Sequence, residues 1–259
     1  VNGNILNEPD ILNKETMTQK EIYFISGLGA DSSVFQFLNL QGYQQVHVKW
    51  LPPLAGESLQ DYAGRLIEQI QSDEPTLVGL SFGGIVAIEI ANRIPTAKVI
   101  LISSITNRDE IPWYFRLAGM LCLHKLVPAW LLKRANFITY WFFGVKTREE
   151  KQQLAEILQR TDEQFLKWAI DKIITWQNRN MLQNLVRIHG TSDRLLLMGS
   201  AKPDYRIDRG GHLMVIDHAD EVSKALLQIL SQVTPDIQEA VKEPVGKEVE
   251  AAIEHETVS

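Results

Sequence analysis

The stretch "PTLVGLSFGGIVAIEIANR", residues 75–93, decides the fold. Its apolar residues run straight into Gly79-Leu80-Ser81-Phe82-Gly83-Gly84, and a helical pattern with Ile85, Ile88 and Ile90 follows at once. A short apolar run closed by glycine reads as a buried strand. A serine between glycines at a strand-to-helix turn then has two readings. It is an ordinary Gly-rich connection, or it is a nucleophile held on a sharp turn. In the second case small neighbours let the backbone reverse, and the next N–H groups point out of the helix N-terminus. Gly-x-Ser-x-Gly alone is a weak signal; the strand before it and the helix after it favour the nucleophile.

Working outward, "EIYFIS" (21–26) reads as a buried strand ending in the Gly-rich "GLGADSS". "QVHVKW" (45–50) is a second strand, and Ser58 is placed to cap a helix carrying Leu59, Tyr62, Leu66, Ile67 and Ile70. "AKVILIS" (97–103), "NLVRIHG" (184–190) and "DYRIDRG" (204–210) supply further strands, and a last helix begins near "DHAD", with Asp217 and Asp220 at capping-box spacing. Strands alternating with helices imply a mostly parallel sheet covered on both faces. In such sheets chemistry gathers at the carboxyl ends of the strands, where the Gly-rich loops fall.

The interval 106–183 breaks this alternation. Thr147 with Glu150, and Thr161 with Gln164, have capping-box spacing, so the interval reads as a helical cap inserted between strands. It holds Trp113, Trp130, Trp141, Trp168 and Trp176, five of the six tryptophans, which are expected to form the cap's own core. "PWYFRLAGMLCLHKLVPAW" is amphipathic; a helix packed on the sheet is the favoured reading over a lipid-binding surface. The domain plan is therefore an N-terminal extension over 1–19, a core of 20–105 and 184–232, the cap, and a tail over 233–259.

Composition excludes several classes. Seven acidic residues against two lysines from Val233 onward account for most of the net charge of −6, so the rest is close to neutral. No basic block suggests nucleic acid, and the acidic tail reads as a solvated, disordered extension. One cysteine, Cys122, leaves no internal disulfide or Cys-rich zinc site. Without a signal-peptide pattern or an apolar run of about 20 residues, a cytoplasmic protein with no stable membrane insertion is expected. No metal-ligand spacing appears, so neither metal nor cofactor is expected.

A serine nucleophile needs a base. His47 is mid-strand, His124 is in the cap, His189 is at a strand end, His218 is beside a helix cap and His255 is in the tail. His212, in "DRGGHLMV", follows the last strand on a Gly-Gly loop and is the best candidate. The orienting carboxylate is expected at Asp193 in "IHGTSD", with Asp109 or Glu110 as the rival position.

Together "ISGLGAD", "VGLSFGG", "IHGTSD" and "GGHLMV" resemble the α/β-hydrolase superfamily over about residues 20–231. The resemblance implies an α/β-hydrolase fold, Ser81 as nucleophile, His212 as base and Asp193 as acid, in that family's chain order. It also implies an oxyanion hole from the backbone N–H groups of Leu28 and Phe82. Two features depart from the common pattern. Ser26-Gly27 stands where many members carry His-Gly, and polar residues 1–20 leave no room for the strand pair that often comes first.

The expected activity is hydrolysis of a small, largely apolar ester or thioester. An acyltransferase, a carbon–carbon hydrolase or a lyase would use the same apparatus, and a non-catalytic ligand-binding protein is the alternative of another class. Substrate is expected to be neutral, unless Arg116, Lys125, Lys133 or Arg134 forms an anion clamp.

Overall fold

Among the described residues, short runs form six strands: β1 (Lys20–Ile25), β2 (Tyr43–Val48), β3 (Thr76–Leu80), β4 (Lys98–Ile102), β5 (Leu185–Gly190) and β6 (Tyr205–Ile207). The computed structural model describes residues 19–197 and 202–232. The sheet order is β2-β1-β3-β4-β5-β6, with every neighbouring pair parallel. Parallel neighbours need crossovers that pass over the sheet, so helices cover both faces and the strands read as continuous apolar runs. β3 is the extreme case, buried at all five positions.

The helices are α1 (Leu59–Ile67), α2 (Phe82–Ala91), α3 (Trp113–Met120), α4 (Leu123–Leu126), α5 (Ala129–Leu132), α6 (Phe137–Phe143), α7 (Arg148–Arg160), α8 (Glu163–Thr175), α9 (Met214–Asp217) and α10 (Ala219–Ser231). Alternate strand residues feed two cores. Tyr23, Ile25, Leu77, Val99 and Leu101 pack with α1, α2 and α8. Ile22, Phe24, Val78, Ile100 and Ile188 pack with α9 and α10 on the other face. α2 is apolar all round and buried from Phe82 to Ile90, as a helix enclosed on every side must be. Its one acid, Glu89, is satisfied by the Trp176 indole N–H at 2.6 Å.

The order of connection reverses between β1 and β3, because the chain leaves β1 toward β2 and returns to the opposite side. That reversal opens a crevice at the carboxyl ends of β1 and β3. Ser81 and Leu28 both emerge there.

Several local expectations need correcting. Ser58 caps α1 and the Thr147–Glu150 capping box is present. At the next helix, however, Asp162 and not Thr161 is the N-cap, accepting from the Phe165 N–H at 2.8 Å. The Thr161 hydroxyl instead donates to the Ile157 carbonyl at 2.7 Å. Asp217 does not cap the last helix: the chain breaks at His218 into α9 and α10, and α10 starts with no side-chain cap.

The tryptophans divide. Trp176 is buried, but Trp113, Trp130 and Trp141 stand 69%, 63% and 48% exposed. They do not form an internal core. Of the extension expected over 1–19 only Gln19 is described, and the 233–259 tail lies outside the described residues.

Candidate active site

Ser81 follows β3 with its backbone at φ 53, ψ −119. A residue bearing a side chain pays for such a conformation in strain, which a structure keeps only where its surroundings enforce it. A Cβ on Gly79 would overlap the Gly84 backbone, and one on Gly83 would overlap the carbonyls of Ile25 and Ser26. The turn therefore closes on itself and docks against the end of β1 only because both positions are glycine. Ser81 N–H donates to the Ile102 carbonyl at 2.9 Å, and the Ser104 hydroxyl donates to the Ser81 carbonyl at 2.7 Å. The serine backbone is fixed at the sheet edge, and its hydroxyl faces His212.

His212 arrives on the loop after β6. Its Nε2 lies 2.8 Å from Ser81 Oγ and its Nδ1 lies 2.8 Å from Asp193 Oδ2. His212 is 2% and Asp193 5% exposed. Asp193 Oδ1 accepts the N–H groups of Leu195 and Leu196 at 3.0 and 3.1 Å, so both carboxylate oxygens are engaged. Burial works to raise the Asp193 pKa, but the His212 charge and hydrogen bond outweigh it and hold the group below its ordinary value. An anionic Asp193 accepts a hydrogen bond only from a protonated Nδ1, so Nδ1 carries the ring proton. That leaves the Nε2 lone pair facing the Ser81 hydroxyl, the tautomer a general base needs.

The loop after β1 lies beside the serine: a Cβ on Gly27 would sit 3.6 Å from the Ser81 Cβ. The Ser26 hydroxyl donates to the Ala30 carbonyl at 2.7 Å, bracing the loop. Among the described residues, neither the Leu28 nor the Phe82 N–H donates to another backbone group. The rival acids are elsewhere. Asp109 is exposed, 3.6 Å from Arg179, and Glu110 pairs with buried Arg187 at 3.1 Å. His47 stacks on Phe35, His124 lies 2.9 Å from Asp171 and His218 lies 3.2 Å from Asp217; His255 is outside the described residues.

Sequence reasoning passed over three contacts here. Phe143, at the end of α6, sets its ring edge-on to His212 at 5.3 Å, and its carbonyl accepts the His212 N–H at 2.9 Å. Thr161 lies on Gly29 of the loop after β1, where a Cβ would overlap its side chain. His189, read as strand-end packing, is buried 3.5 Å from Asp193 Oδ2 with its Nε2–H on the Leu196 carbonyl at 2.7 Å. Burial pushes its pKa down to about 4, so it stays neutral beside the acid. All three contacts are visible only in three dimensions.

Phe82, Trp50, Phe165 and Trp168 form an aromatic cluster behind the turn. A depression of about 450 Å³ lined by Gly29, Trp50, Pro52, Thr161 and Phe165 adjoins the loop after β1 without reaching Ser81 or His212. Among the described residues no cluster of three or more His, Cys, Asp or Glu could hold a metal ion.

A serine on a strand–turn–helix elbow at the switch point of a parallel sheet, with aspartate and histidine following in that order, places the chain in the α/β class typified by hydrolases. The chain belongs to the alpha/beta hydrolase family, whose model matches residues 22–225. No curated protein matches it by sequence. Among solved structures it is similar to a bromoperoxidase from Bacillus anthracis, with 18% identity and a TM-score of 0.59 over 83% of this chain and 92% of that one. An esterase from Exiguobacterium antarcticum shares 16% identity and a TM-score of 0.60 over 83% and 91%. A thermophilic esterase from Thermogutta terrifontis shares 15% identity and a TM-score of 0.59 over 83% and 91%. At these identities the likeness speaks for the fold alone.

Proposed function

We propose that the chain is a serine hydrolase that cleaves a small, largely apolar carboxylic ester or thioester. The carrying observation is the continuous line Ser81–His212–Asp193, with both hydrogen bonds at 2.8 Å and the serine held at positive φ. Ser81 Oγ attacks the carbonyl carbon while His212 Nε2 takes its proton. The oxyanion is received by the N–H groups of Leu28 and Phe82, a contribution of the kind that removing one donor costs about 10²–10³ in turnover. His212 then returns the proton to the leaving oxygen or sulfur. Water, deprotonated by the same nitrogen, releases the acid from Ser81. Asp193 stays ionised throughout and stabilises the imidazolium.

In this reading the segment 106–183 is a cap and the expected substrate is neutral. Aromatic groups stand close to the elbow, namely Trp50 and Phe165 against Phe82, and Phe143 beside His212. A substrate carboxylate buried among them without a partner would be costly. The test is covalent labelling with a fluorophosphonate, together with turnover on a panel of neutral and anionic esters of matched length. Ser81→Ala is expected to lose both labelling and turnover while keeping its fold. Labelling that survives in the variant overturns the nucleophile. A tenfold preference for the anionic series overturns the substrate class.

A further inference from the structure

The segment between β4 and β5 presents an apolar surface that the proposed chemistry does not use. Trp113, Leu117, Met120, Leu121, Leu123, Leu126, Trp130, Leu131, Phe137, Ile138 and Trp141 are 44–80% exposed, eleven of the fifteen large apolar residues so exposed among those described. The exposure follows helix geometry. On α3, Trp113, Leu117 and Met120 stand at i, i+4 and i+7, one stripe. The opposite side holds Gly119, where a Cβ would overlap Ile174 of α8. On α6, Phe137, Ile138 and Trp141 share the outer face while Tyr140 and Phe143 pack inward. α3, α4 and α6 contain no buried residue at all. These helices are docked by one edge and leave most of their apolar stripes uncovered, Trp141 carrying the Arg194 guanidinium 4.8 Å over its ring, and a contiguous exposed apolar patch of this kind marks an interaction site.

The charge on the same stretch is one-sided. From Ile111 to Arg148 the sequence holds Arg116, Lys125, Lys133, Arg134, Lys146 and Arg148 and no acidic residue, in a chain whose net charge is −6. Lys125 is engaged by Asp171 of α8 at 3.5 Å. The other five enter no salt bridge among the described residues. Apolar tips with tryptophans among them, flanked by unpaired cations, match the boundary between acyl chains and anionic headgroups. A second copy of the chain is a poorer occupant, since a face-to-face pair would set these cations against each other with no acid from the stretch to offset them.

We propose that α3–α6 form a docking surface for an anionic lipid bilayer. The chain lies on the membrane by this face and does not cross it; among the described residues no helix is long and apolar enough to span one. α6 carries Trp141 outward and Phe143 against His212, so the docked face lies one helix away from the imidazole.

Sedimentation of the full chain with vesicles tests this. Vesicles of phosphatidylcholine with about a third phosphatidylglycerol should bind at least about tenfold more tightly than pure phosphatidylcholine. Raising salt toward 1 M, where the Debye length falls to about 3 Å, should weaken that binding. Met120→Ser/Leu126→Ser/Phe137→Ser should lose about tenfold or more of the partitioning with an unchanged melting temperature, because these side chains are 77%, 78% and 80% exposed. Should that triple variant fail to fold, Lys133→Glu/Arg134→Glu serves instead and should abolish the preference for anionic vesicles. Ser81→Ala should bind vesicles like the parent, so the docking claim stands or falls apart from the catalytic one. Equal affinity for both vesicle types, no binding by the parent, or variants that bind like the parent overturn the proposal. So does ultracentrifugation showing a dimer that the triple variant dissociates.

Discussion

Replacing Asp193 by asparagine is the sharpest probe of the site, because the structure dictates which way the new amide must turn. One carboxylate oxygen accepts two backbone N–H groups, from Leu195 and Leu196, at 3.0 and 3.1 Å. The other accepts the His212 Nδ1–H at 2.8 Å. An asparagine that keeps its carbonyl on the two backbone donors must aim its NH₂ at His212. The flipped amide would face those donors with donors of its own. Two buried N–H groups left unpaired cost about 1–3 kcal/mol each, so the flipped form is disfavoured at least about thirtyfold. The favoured form donates to Nδ1, which moves the imidazole proton to Nε2. Nε2 then faces the Ser81 hydroxyl as a donor and cannot take its proton.

The expected result is a fall in kcat of about 10⁴, as for the equivalent change in a serine protease triad, with KM little altered. The assay is hydrolysis of a neutral p-nitrophenyl ester, with melting temperature as the check on folding. Asp109→Asn, at an exposed residue away from His212, should leave turnover within about twofold of the parent. If Asp193→Asn retains a tenth of the parent's kcat, the tautomer argument is wrong.

Two further predictions rest on single contacts. His189 is held by burial at about 4 against 6.5 when unfolded, so between those values the unfolded chain takes up a proton that the fold refuses. Stability should drop by about 2 kcal/mol from pH 7 to pH 5, while Asp193, lowered from 3.8, contributes only at lower pH. Urea midpoints should show His189→Gln losing most of that slope; equal slopes in both proteins would refute the assignment. Gly29 sits at φ +72 with the Thr161 side chain where its Cβ would be. Gly29→Ala should therefore displace the Leu28 N–H and lower kcat by about 10², with partial recovery in Gly29→Ala/Thr161→Ala. A variant with parental kcat would remove that loop from the oxyanion site.

The elbow was legible because everything it needs is local. Strand, Gly79, Ser81, Gly83 and helix fall within the sixteen residues Thr76–Ala91, and each glycine answers a close backbone contact, Gly79 with Gly83 and Gly84 and Gly83 with the end of β1. Asp193 and His212 were legible one step further out, since strand ends in a parallel sheet share one edge. Thr161 was misplaced because Thr161 and Asp162 are both competent caps, and the Thr161 hydroxyl is taken by the Ile157 carbonyl of the preceding helix. The exposed tryptophans were misread for a different reason. An apolar periodicity reports that a face is fit for burial, and it does not say whether the burying partner belongs to the same chain.

The three groups of the proposed triad are not anchored alike, and this bears on how the proposed lipid face and the proposed chemistry communicate. Ser81 is tied to β4 through the Ile102 carbonyl, and the Asp193 N–H donates to the Gly190 carbonyl at the end of β5. Both have backbone bonds to the sheet, and the Asp193 loop also meets α6 through Arg194, whose guanidinium lies 4.8 Å over the Trp141 ring. The His212 N–H, in contrast, is held by the Phe143 carbonyl, and Gly144 packs against Gly211. His212 therefore takes its position partly from α6, the helix whose other side exposes Phe137, Ile138 and Trp141. A shift of about 1 Å between reacting groups can cost about 10² in rate. Any displacement of α6 on a bilayer must therefore appear in kcat before it appears in the elbow, whose backbone bonds run to β4 and not to α6. If vesicle binding leaves kcat on a soluble ester unchanged, α6 docks as a rigid body and the membrane face serves location alone.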